Sequence, residues 1–338
     1  MEHQHVGRRS VYFNHPPTIL SYASVVGKKE AQGPLSGSFD LSITEGHFGQ
    51  SSWEKAESHM QKTALSLALQ KANLRASDLD GIFLGDLLNQ CIGSSFSMRN
   101  KEIPTLGLYG ACSTMAESLL IGSMTVAGGF GRKIAAMTSS HFASSERQYR
   151  FPLGYGGQRT PTAQWTVTGS GAVILGSQGK GPYIRSATMG TIVDGGIKDG
   201  NNMGAAMAPA AYETIRCHLR DMGRAPSYYD LIVTGDLGAL GSQALRELLK
   251  QDYPDLGETL VDCGVLIFDR NKQDVHCGGS GCGCSAVVLC GYLLGQLERR
   301  KLDRILFCGT GALLSTVSVQ QGESIPGVCH AVEIATGS

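Results

Sequence analysis

The sequence predicts an α/β protein: a five-layer αβαβα sandwich with two mixed sheets and two buried central helices. Short apolar strands alternate with helical segments, which is typical of sheets covered on both faces. The strand-like segment at 80–87 recurs with the same pattern at 230–237. Two long stretches, 112–127 and 282–297, are compatible with helices but carry almost no charge. A helix without a polar face has to be buried, so we expect each half to cover its central helix with the other half.

The repeat extends beyond the strand and predicts the domain organisation. The cysteine-containing segment 110–114 corresponds to 281–285, and the strands that follow keep the same offset of 171 residues (110 to 281). Two copies of a unit that cannot bury its own helix indicate a duplicated fold. We therefore predict one structural unit over residues 1–338, made of an N-terminal half at 12–178 and a C-terminal half at 179–338.

Hydrophobic periodicity and helix-start signals predict the elements of the N-terminal half in chain order. They are a strand at 18–26, a Gly/Pro-rich loop to Asp40, a helix from the capping-box pair Ser51 and Glu54 to about Asn73, a strand at 81–85, a helical stretch near 94–101, the helix that begins at Cys112, a strand at 133–138, an irregular stretch at 142–164, and a strand at 172–175.

Composition excludes several classes of protein. The chain has 338 residues, 42% hydrophobic and 17% charged, which is typical of a compact fold with a large core. Because Lys+Arg and Asp+Glu both number 29, no net field favours nucleic acid or a membrane surface. The polar segment 1–10 predicts no signal peptide, and the apolar run 286–294 is too short to span a bilayer. Ten irregularly spaced cysteines favour reduced thiols inside a cell, or on a surface continuous with its interior.

Cys112 stands where the first uncharged helix begins. Unpaired backbone N–H groups and the helix dipole favour a thiolate at such a position, or an anion bound beside it. A buried cysteine with a purely structural role remains the alternative, because most free cysteines pack as small hydrophobic residues.

Seven sequence motifs resemble those of the thiolase superfamily and, within it, of the stage V sporulation protein AD family. The resemblance covers roughly residues 12–334. The motifs that carry the resemblance are Gly110-Ala111-Cys112-Ser113-Thr114, Ser139-Ser140-His141, Tyr155-Gly156-Gly157-Gln158, the Ala-rich run 202–211, Gly235-Asp236-Leu237, the Gly/Cys-rich run 278–288, and Gly311-Ala312-Leu313-Leu314-Ser315.

The resemblance implies a spore protein that helps to load dipicolinic acid (pyridine-2,6-dicarboxylate), often as its calcium chelate, into the developing spore. It also implies that the protein acts together with other proteins of the same operon at the spore inner membrane. With no membrane anchor predicted, association with that membrane would be peripheral. Dimerisation through sheet edges is usual in the superfamily, so a homodimer is expected by analogy.

The same resemblance implies that acyl transfer has been lost. A condensing enzyme needs a nucleophilic thiol, a histidine that moves protons, and an oxyanion hole. The two places where relatives carry that histidine read Gly279-Ser280-Gly281 and Thr234-Gly235-Asp236. Only His141 and His276 could approach the thiol. We therefore expect no catalytic residue, with Cys112 at the ancestral nucleophile position. An active acyltransferase using Cys112 with His141 as base, and a structural partner of a membrane complex, remain as alternatives.

A pocket for a small planar dianion is the corresponding expectation for the site. The helix start at Cys112 and Ser113 would bind one carboxylate, and the Gly-rich loop with Ser280, Gly281 and Gly283 another. The remaining candidates are His141, Arg147 and Arg150 as cationic or polar contacts, Glu117 as a cavity residue or as the partner of an arginine, and Tyr149, Tyr155 and Trp165 as rings that stack on the ligand or simply pack in the core.

Metal and cofactor sites are not predicted. Cys277, Cys282, Cys284 and Cys290 match neither zinc nor iron–sulfur ligand spacing. The glycine run at 278–283 lacks the third glycine of a dinucleotide fingerprint. Calcium is expected only as part of the ligand. Asp86 and Asp236 are interpreted as capping or dimer-interface residues, with contact to that calcium as the alternative for one of them.

Overall fold

The computed structural model describes residues 4–150 and 158–337. Its strands are β1 His5–Val6, β2 Ser10–Tyr12, β3 Thr18–Val26, β4 Leu41–Ser42, β5 Gly81–Gly85, β6 Thr105–Gly107, β7 Lys133–Ser140, β8 Trp165–Thr166, β9 Gly169–Gly176, β10 Tyr183–Thr188, β11 Leu231–Thr234, β12 Leu260–Asp262, β13 Gly279–Ser280, β14 Arg304–Ala312 and β15 Gly327–Ala335.

The helices complete the alternation predicted from the sequence. They are α1 Trp53–Lys71, α2 Ile92–Ser97, α3 Thr114–Ala127, α4 Phe142–Tyr149, α5 Met203–Met222, α6 Gly238–Asp252, α7 Cys263–Leu266, α8 Cys282–Val288, α9 Leu294–Glu298 and α10 Thr316–Gln320. A π-helical segment, Leu289–Leu293, makes α8 and α9 one continuous helix.

Ten of the thirteen strands of the main sheet form two five-stranded halves of the same design, while β1 pairs with β2, β2 with β10 and β4 with β3. Their orders are β6-β5-β7-β9-β3 and β12-β11-β14-β15-β10. In each half the first two pairings are parallel and the last two antiparallel. A single residue pair, Tyr183 with Thr18, joins the halves edge to edge. The prediction of two mixed sheets in an α/β sandwich is confirmed, with this one bridge as an addition.

The repeated aspartate at the start of each unit has a structural role that explains its repetition. Asp80 accepts a hydrogen bond from the backbone N–H of Lys133 at 3.0 Å, and Asp230 accepts one from Arg304 at 2.8 Å. Each carboxylate therefore ties the start of one parallel strand to the start of its neighbour. The sequence repeat is thus also a repeat of contacts.

The two uncharged helices lie between the sheet halves, as their composition predicts. Helix α3 packs on β5 and β7 of one half and on β14 and β15 of the other, while α8 packs on β7, β9 and α3. A Cβ on Gly309 of β14 would lie 2.6 Å from the Cβ of Ala116, so only glycine permits this crossing of α3. Helices α1 and α5 cover the outer faces, which completes the five layers.

Two local predictions were wrong. Helix α1 is capped by Ser52, whose side chain accepts from the N–H of Lys55, and not by Ser51. The stretch from Phe142, predicted to be irregular, begins with helix α4. The histidine ring of His141 caps it by accepting from the N–H of Ala143 at 3.2 Å, and histidine is a weak helix-start signal in a sequence.

All ten cysteines are free and buried, in agreement with the prediction of reduced thiols. Across residues 4–150 and 158–337, every helix is too short or too polar to cross a lipid bilayer.

Candidate functional site

A cavity of about 270 Å³ opens beside Cys112, where the two halves meet. Helix α4, strands β8 and β13, the start of α5 and the end of β14 supply its walls. The polar side chains on these walls are Tyr109, Cys112, Ser145, Tyr149, Arg150, Thr166, Ser280 and Ser315, and the apolar ones are Leu87, Ala111, Met203, Ala312, Leu313 and Leu314.

Cys112 is held in a turn that precedes α3 and is 6% exposed. Its thiol lies beside the carboxylate of Asp236 and the backbone N–H of Gly281. Burial and then the negative charge of Asp236 raise the pKa of the Cys112 thiol well above its usual value. The group is therefore a protonated thiol at neutral pH, which is a poor nucleophile.

Asp236 is the group that takes the place of a base beside this thiol. The carboxylate is fully buried and accepts hydrogen bonds from the N–H of Gly281 at 2.8 Å and from Thr310 Oγ1 at 2.9 Å. Burial raises the pKa of Asp236 to about 6. Because the thiol binds its proton far more tightly than this carboxyl, transfer from Cys112 to Asp236 is unfavourable.

Arg150 reaches the cavity as one half of a buried ion pair. Its Nη1 donates to Glu146 and to the carbonyl oxygen of Gln164 at 3.2 Å. The side chains of Arg150 and Glu146 are only 10% and 6% exposed. Thr166 Oγ1 also donates to Glu146, at 3.0 Å. The guanidinium is thus fixed in orientation before any ligand arrives. Among the described residues, its Nη2 contacts only the sulfur of Met203, at 3.9 Å.

Ser145 offers an unused hydrogen-bonding group. Its side chain is 2% exposed and lines the cavity, yet its Oγ has no hydrogen-bond partner among the residues that the structure describes. A buried hydroxyl without a partner costs roughly 1–3 kcal/mol, so a ligand atom that bonds to it would recover this free energy. Ser145 was not predicted as a site residue, since α4 itself was not predicted.

Two tyrosines stand at the rim of the cavity. Tyr149 Oη donates to the carbonyl oxygen of Leu87 and shares a hydrogen bond of 2.8 Å with Tyr109 Oη. Burial raises the pKa of Tyr149, so its hydroxyl stays protonated. Tyr109 is 49% exposed and marks the outer edge.

The structure brings together some of the residues predicted from the sequence. Cys112, Arg150 and Ser280 line one cavity. Gly281 does not line it, and its N–H donates to Asp236. Tyr149 also belongs to its wall. Whether these residues bind a ligand stays a prediction, but their convergence on one cavity meets its first requirement.

His141 does not meet the expectation that it approaches the thiol. Its Nε2 lies 2.9 Å from the carbonyl oxygen of Gly46, which can only accept, and its Nδ1 accepts from Ala143. Both ring nitrogens are therefore engaged in a neutral tautomer, and burial lowers the pKa of His141 further. It faces a different cavity from Cys112. His276 also points elsewhere, with Nε2 3.3 Å from Asp274.

The remaining candidates are placed in structural roles outside the cavity. Arg147 pairs with Glu54 and is half exposed. Glu117 forms no ion pair in the described part of the chain and does not line the cavity, so neither expectation for it is met; burial raises its pKa. Ser113 Oγ donates to Gly110 O at 2.7 Å.

The last candidates predicted from the sequence are Gly283 of the Gly-rich loop and the aromatic residues Trp165 and Tyr155. The N–H of Gly283 donates to Ser140 Oγ at 3.1 Å, so it is not directed at the cavity. Trp165 faces the same second cavity as His141. Tyr155 lies outside the described residues. Within those residues, no three His, Cys, Asp or Glu side chains are grouped so that they could hold a metal ion.

Sequence reasoning missed the partners that define the chemistry of the site. Asp236 was interpreted as a capping or interface residue, although its equivalence to Asp86 in the repeat marked it as the end of a strand beside the second buried helix. Glu146 was missed because helix α4, which places it one turn from Arg150, was not predicted, and Met203 was missed because its contact with Arg150 joins distant parts of the chain.

Comparison with known proteins agrees with the family resemblance seen in the sequence motifs. Residues 7–335 match the family model described as Stage V sporulation protein AD. The stage V sporulation protein AD of Bacillus subtilis (strain 168) is 45% identical over 326 residues, which is 96% of each chain.

Solved structures of condensing enzymes share the fold. OleA from Xanthomonas campestri superposes with a TM-score of 0.60 at 13% identity, over 96% of this chain and 100% of that one. For 3-oxoacyl-[acyl-carrier-protein] synthase III from Aquifex aeolicus the TM-score is 0.57 at 16% identity, over 94% and 99%. For human mitochondrial 3-ketoacyl-CoA thiolase it is 0.57 at 12% identity, over 96% and 100%. At these identities the likeness concerns the fold alone.

Proposed function

Because this chain belongs to the stage V sporulation protein AD family, sporulation proteins with a thiolase-like fold, we propose that it is a non-catalytic protein that binds dipicolinic acid for uptake into the developing spore. The observation that carries the proposal is the cavity of about 270 Å³ beside a thiol that is paired with the carboxylate of Asp236 instead of a histidine. Such a cavity retains a place for a ligand and lacks the means to activate a nucleophile.

The walls of this cavity suit a flat ring with carboxylates. Apolar contacts from Leu87, Met203 and Leu314 would cover a pyridine ring. Nη2 of Arg150, which contacts only the sulfur of Met203 among the described residues, would bind one carboxylate, since a guanidinium matches the two oxygens of that group. The unpartnered hydroxyl of Ser145 would bind an oxygen of the other.

The charges around the cavity favour a particular form of the ligand. Arg150 is already paired with Glu146, and Asp236 adds a further negative charge when ionised. A free dianion would meet an environment that is neutral to negative, which opposes its transfer from water. We therefore expect the calcium chelate of dipicolinate, in which the cation offsets the charge of the ligand, to bind more tightly than the free acid anion.

Acyl transfer through Cys112 is the competing function, because the cysteine is kept at the start of the buried helix. The raised pKa of its thiol opposes that reaction. No histidine is present on the described part of the cavity wall. A steady release of coenzyme A from an acyl thioester that is abolished by Cys112→Ala would favour acyl transfer over our proposal.

We also propose that the protein works as a homodimer, peripherally at the spore inner membrane, with other proteins of the same operon. Strand β6 supports the dimer, since it is an edge strand whose three residues are all exposed. An exposed edge offers unpaired backbone groups to a second strand.

Isothermal titration calorimetry tests the ligand. We expect saturable binding of dipicolinate, tighter with calcium present, and at least about tenfold weaker binding in Arg150→Met, which loses a charge-assisted hydrogen bond. Arg147→Met is the matched control, because Arg147 lies near the same helix end but outside the cavity. No binding in the presence of calcium, or equal loss in both variants, would contradict the proposal.

A further inference from the structure

A second cavity, of about 260 Å³, lies behind the first, across a wall formed by α4 and β8. The two elements divide their side chains between the cavities: Ser145 and Thr166 face the first, while Phe142 and Trp165 face the second. The second cavity shares no lining residue with the first, so it is a separate site.

Two cations lie on one aromatic ring at this cavity. Lys29 Nζ is 3.6 Å from the centroid of the Trp165 ring, and the guanidinium carbon of Arg159 is 4.7 Å from it. Phe142 stacks on the same ring at 3.8 Å with an interplanar angle of 10°. A cation gains from an aromatic face, but two cations on one ring also repel each other.

The described part of the chain balances this positive charge only in part. Among the described residues, Lys29 has no carboxylate within 4.0 Å, although the charges of Asp274 and Glu30 act on it. Nη2 of Arg159 contacts both the carboxylate and the backbone carbonyl oxygen of Asp274, and its buried Nη1 has no hydrogen-bond partner among those residues. Burial and then the charge of Arg159 lower the pKa of Lys29. An anion bound on Lys29, the cation that lines the cavity, would offset this repulsion.

The rest of the cavity is an aromatic wall. Phe48 and Trp53 line it together with Phe142, and His47 stacks on Trp53 with ring centroids 5.9 Å apart. The one buried acid, Glu30, has its pKa raised to about 7 by burial, so it carries only part of a negative charge at neutral pH. Flat rings beside incompletely balanced cations fit a flat ligand that bears an anionic group.

We propose that this second cavity binds a small aromatic carboxylate, with its ring against the aromatic wall and its carboxylate on Lys29, the cation of the pair that lines the cavity. The proposal goes beyond the function proposed above and does not depend on it, because no residue of the Cys112 cavity takes part. Dipicolinate is one member of this chemical class, and benzoate is the simplest.

Tryptophan fluorescence reports on this cavity selectively. The chain has only two tryptophans, and both Trp53 and Trp165 line it. Benzoate is therefore titrated into the full-length protein, with excitation above the absorption of benzoate, and inorganic phosphate serves as the non-aromatic anion. We expect a saturable change with benzoate that is at least about tenfold weaker in Lys29→Met, because a charge-assisted contact is lost.

Matched variants separate the possible outcomes. Lys180→Met, a remote exposed lysine, and Arg150→Met, in the first cavity, should both leave the titration unchanged; Lys29→Arg should retain binding. If Lys29→Met does not fold by circular dichroism, Lys29→Gln carries the same test. The proposal is overturned if benzoate gives no saturable change, if Lys29→Met and Lys180→Met behave alike, or if phosphate competes as well as benzoate, which would indicate a simple anion patch.

Discussion

At the scale of single residues, the pairing of Cys112 with Asp236 decides what the inherited site can do. Helix starts usually favour a thiolate, and the sequence pattern suggested one. The structure adds two opposing effects, burial and an adjacent carboxylate, and these raise the pKa of the thiol. The local sequence contains the helix signal but not the carboxylate, because Asp236 comes from the other half of the chain.

This pairing predicts low reactivity of Cys112. We expect iodoacetamide to alkylate Cys112 at pH 7 at least about tenfold more slowly than a free thiol, since only the thiolate reacts. Asp236→Asn should speed the reaction, because it removes the negative charge that raises the pKa. Mass spectrometry of the labelled peptide measures both rates; fast alkylation of the wild type would show that Cys112 is activated after all.

A second residue-scale prediction concerns Glu57, buried on the N-terminal side of the site. Its carboxyl accepts from Ser139 and Ser144 at 2.9 and 3.0 Å. Burial and then the charge of Asp86 raise the pKa of Glu57 to about 8. The folded state therefore holds a proton that the unfolded chain, with a glutamate pKa of about 4.3, releases.

The sign of the pH effect follows from this difference. The stabilising contribution is complete below about pH 4 and is lost as the pH rises to about 8, because over that range the folded state binds more protons. Glu57→Gln should flatten the slope of the unfolding free energy by up to about 1.4 kcal/mol per pH unit. Urea denaturation between pH 5 and 8 measures it, with the exposed Glu258→Gln as control; equal slopes in both variants would contradict the assignment.

At the scale of elements, helix α4 explains which site predictions succeeded. The sequence suggested both Arg147 and Arg150 as contacts of the ligand, but it could not give their directions without the helix. Arg150 ends α4 and turns into the cavity, whereas Arg147 points to Glu54 on α1. Residue types were therefore predictable, and their orientation was not.

His141 provides the test at this scale. If it serves as the cap of α4, His141→Ala should lower the unfolding free energy by about 1 kcal/mol, the usual cost of a lost helix cap. His141→Asn should restore most of the loss, because asparagine also caps helices. Thermal unfolding with calorimetry measures both. Unchanged stability in His141→Ala, together with lost thioester turnover, would favour the role of a base.

At the scale of the whole molecule, the fold was predictable because the duplication can be recognised from local sequence patterns that recur in the two halves. The recurring aspartates, strands and uncharged helices each correspond to equivalent contacts in the two halves. The single bridge between Tyr183 and Thr18 was not predictable, since it joins two distant edge strands through one residue pair. The site lies where the halves meet, so its lining combines residues from both repeats.

The central claim is that the chamber beside Cys112 receives a ligand and does not perform a reaction. A crystal structure of the protein with calcium and dipicolinate tests it most directly. We predict density for a planar dicarboxylate beside an unmodified Cys112, with one carboxylate on Arg150 and another oxygen on Ser145. A cavity that stays empty while the ligand binds elsewhere, or an acyl group on the Cys112 sulfur after exposure to acyl thioesters, would contradict it.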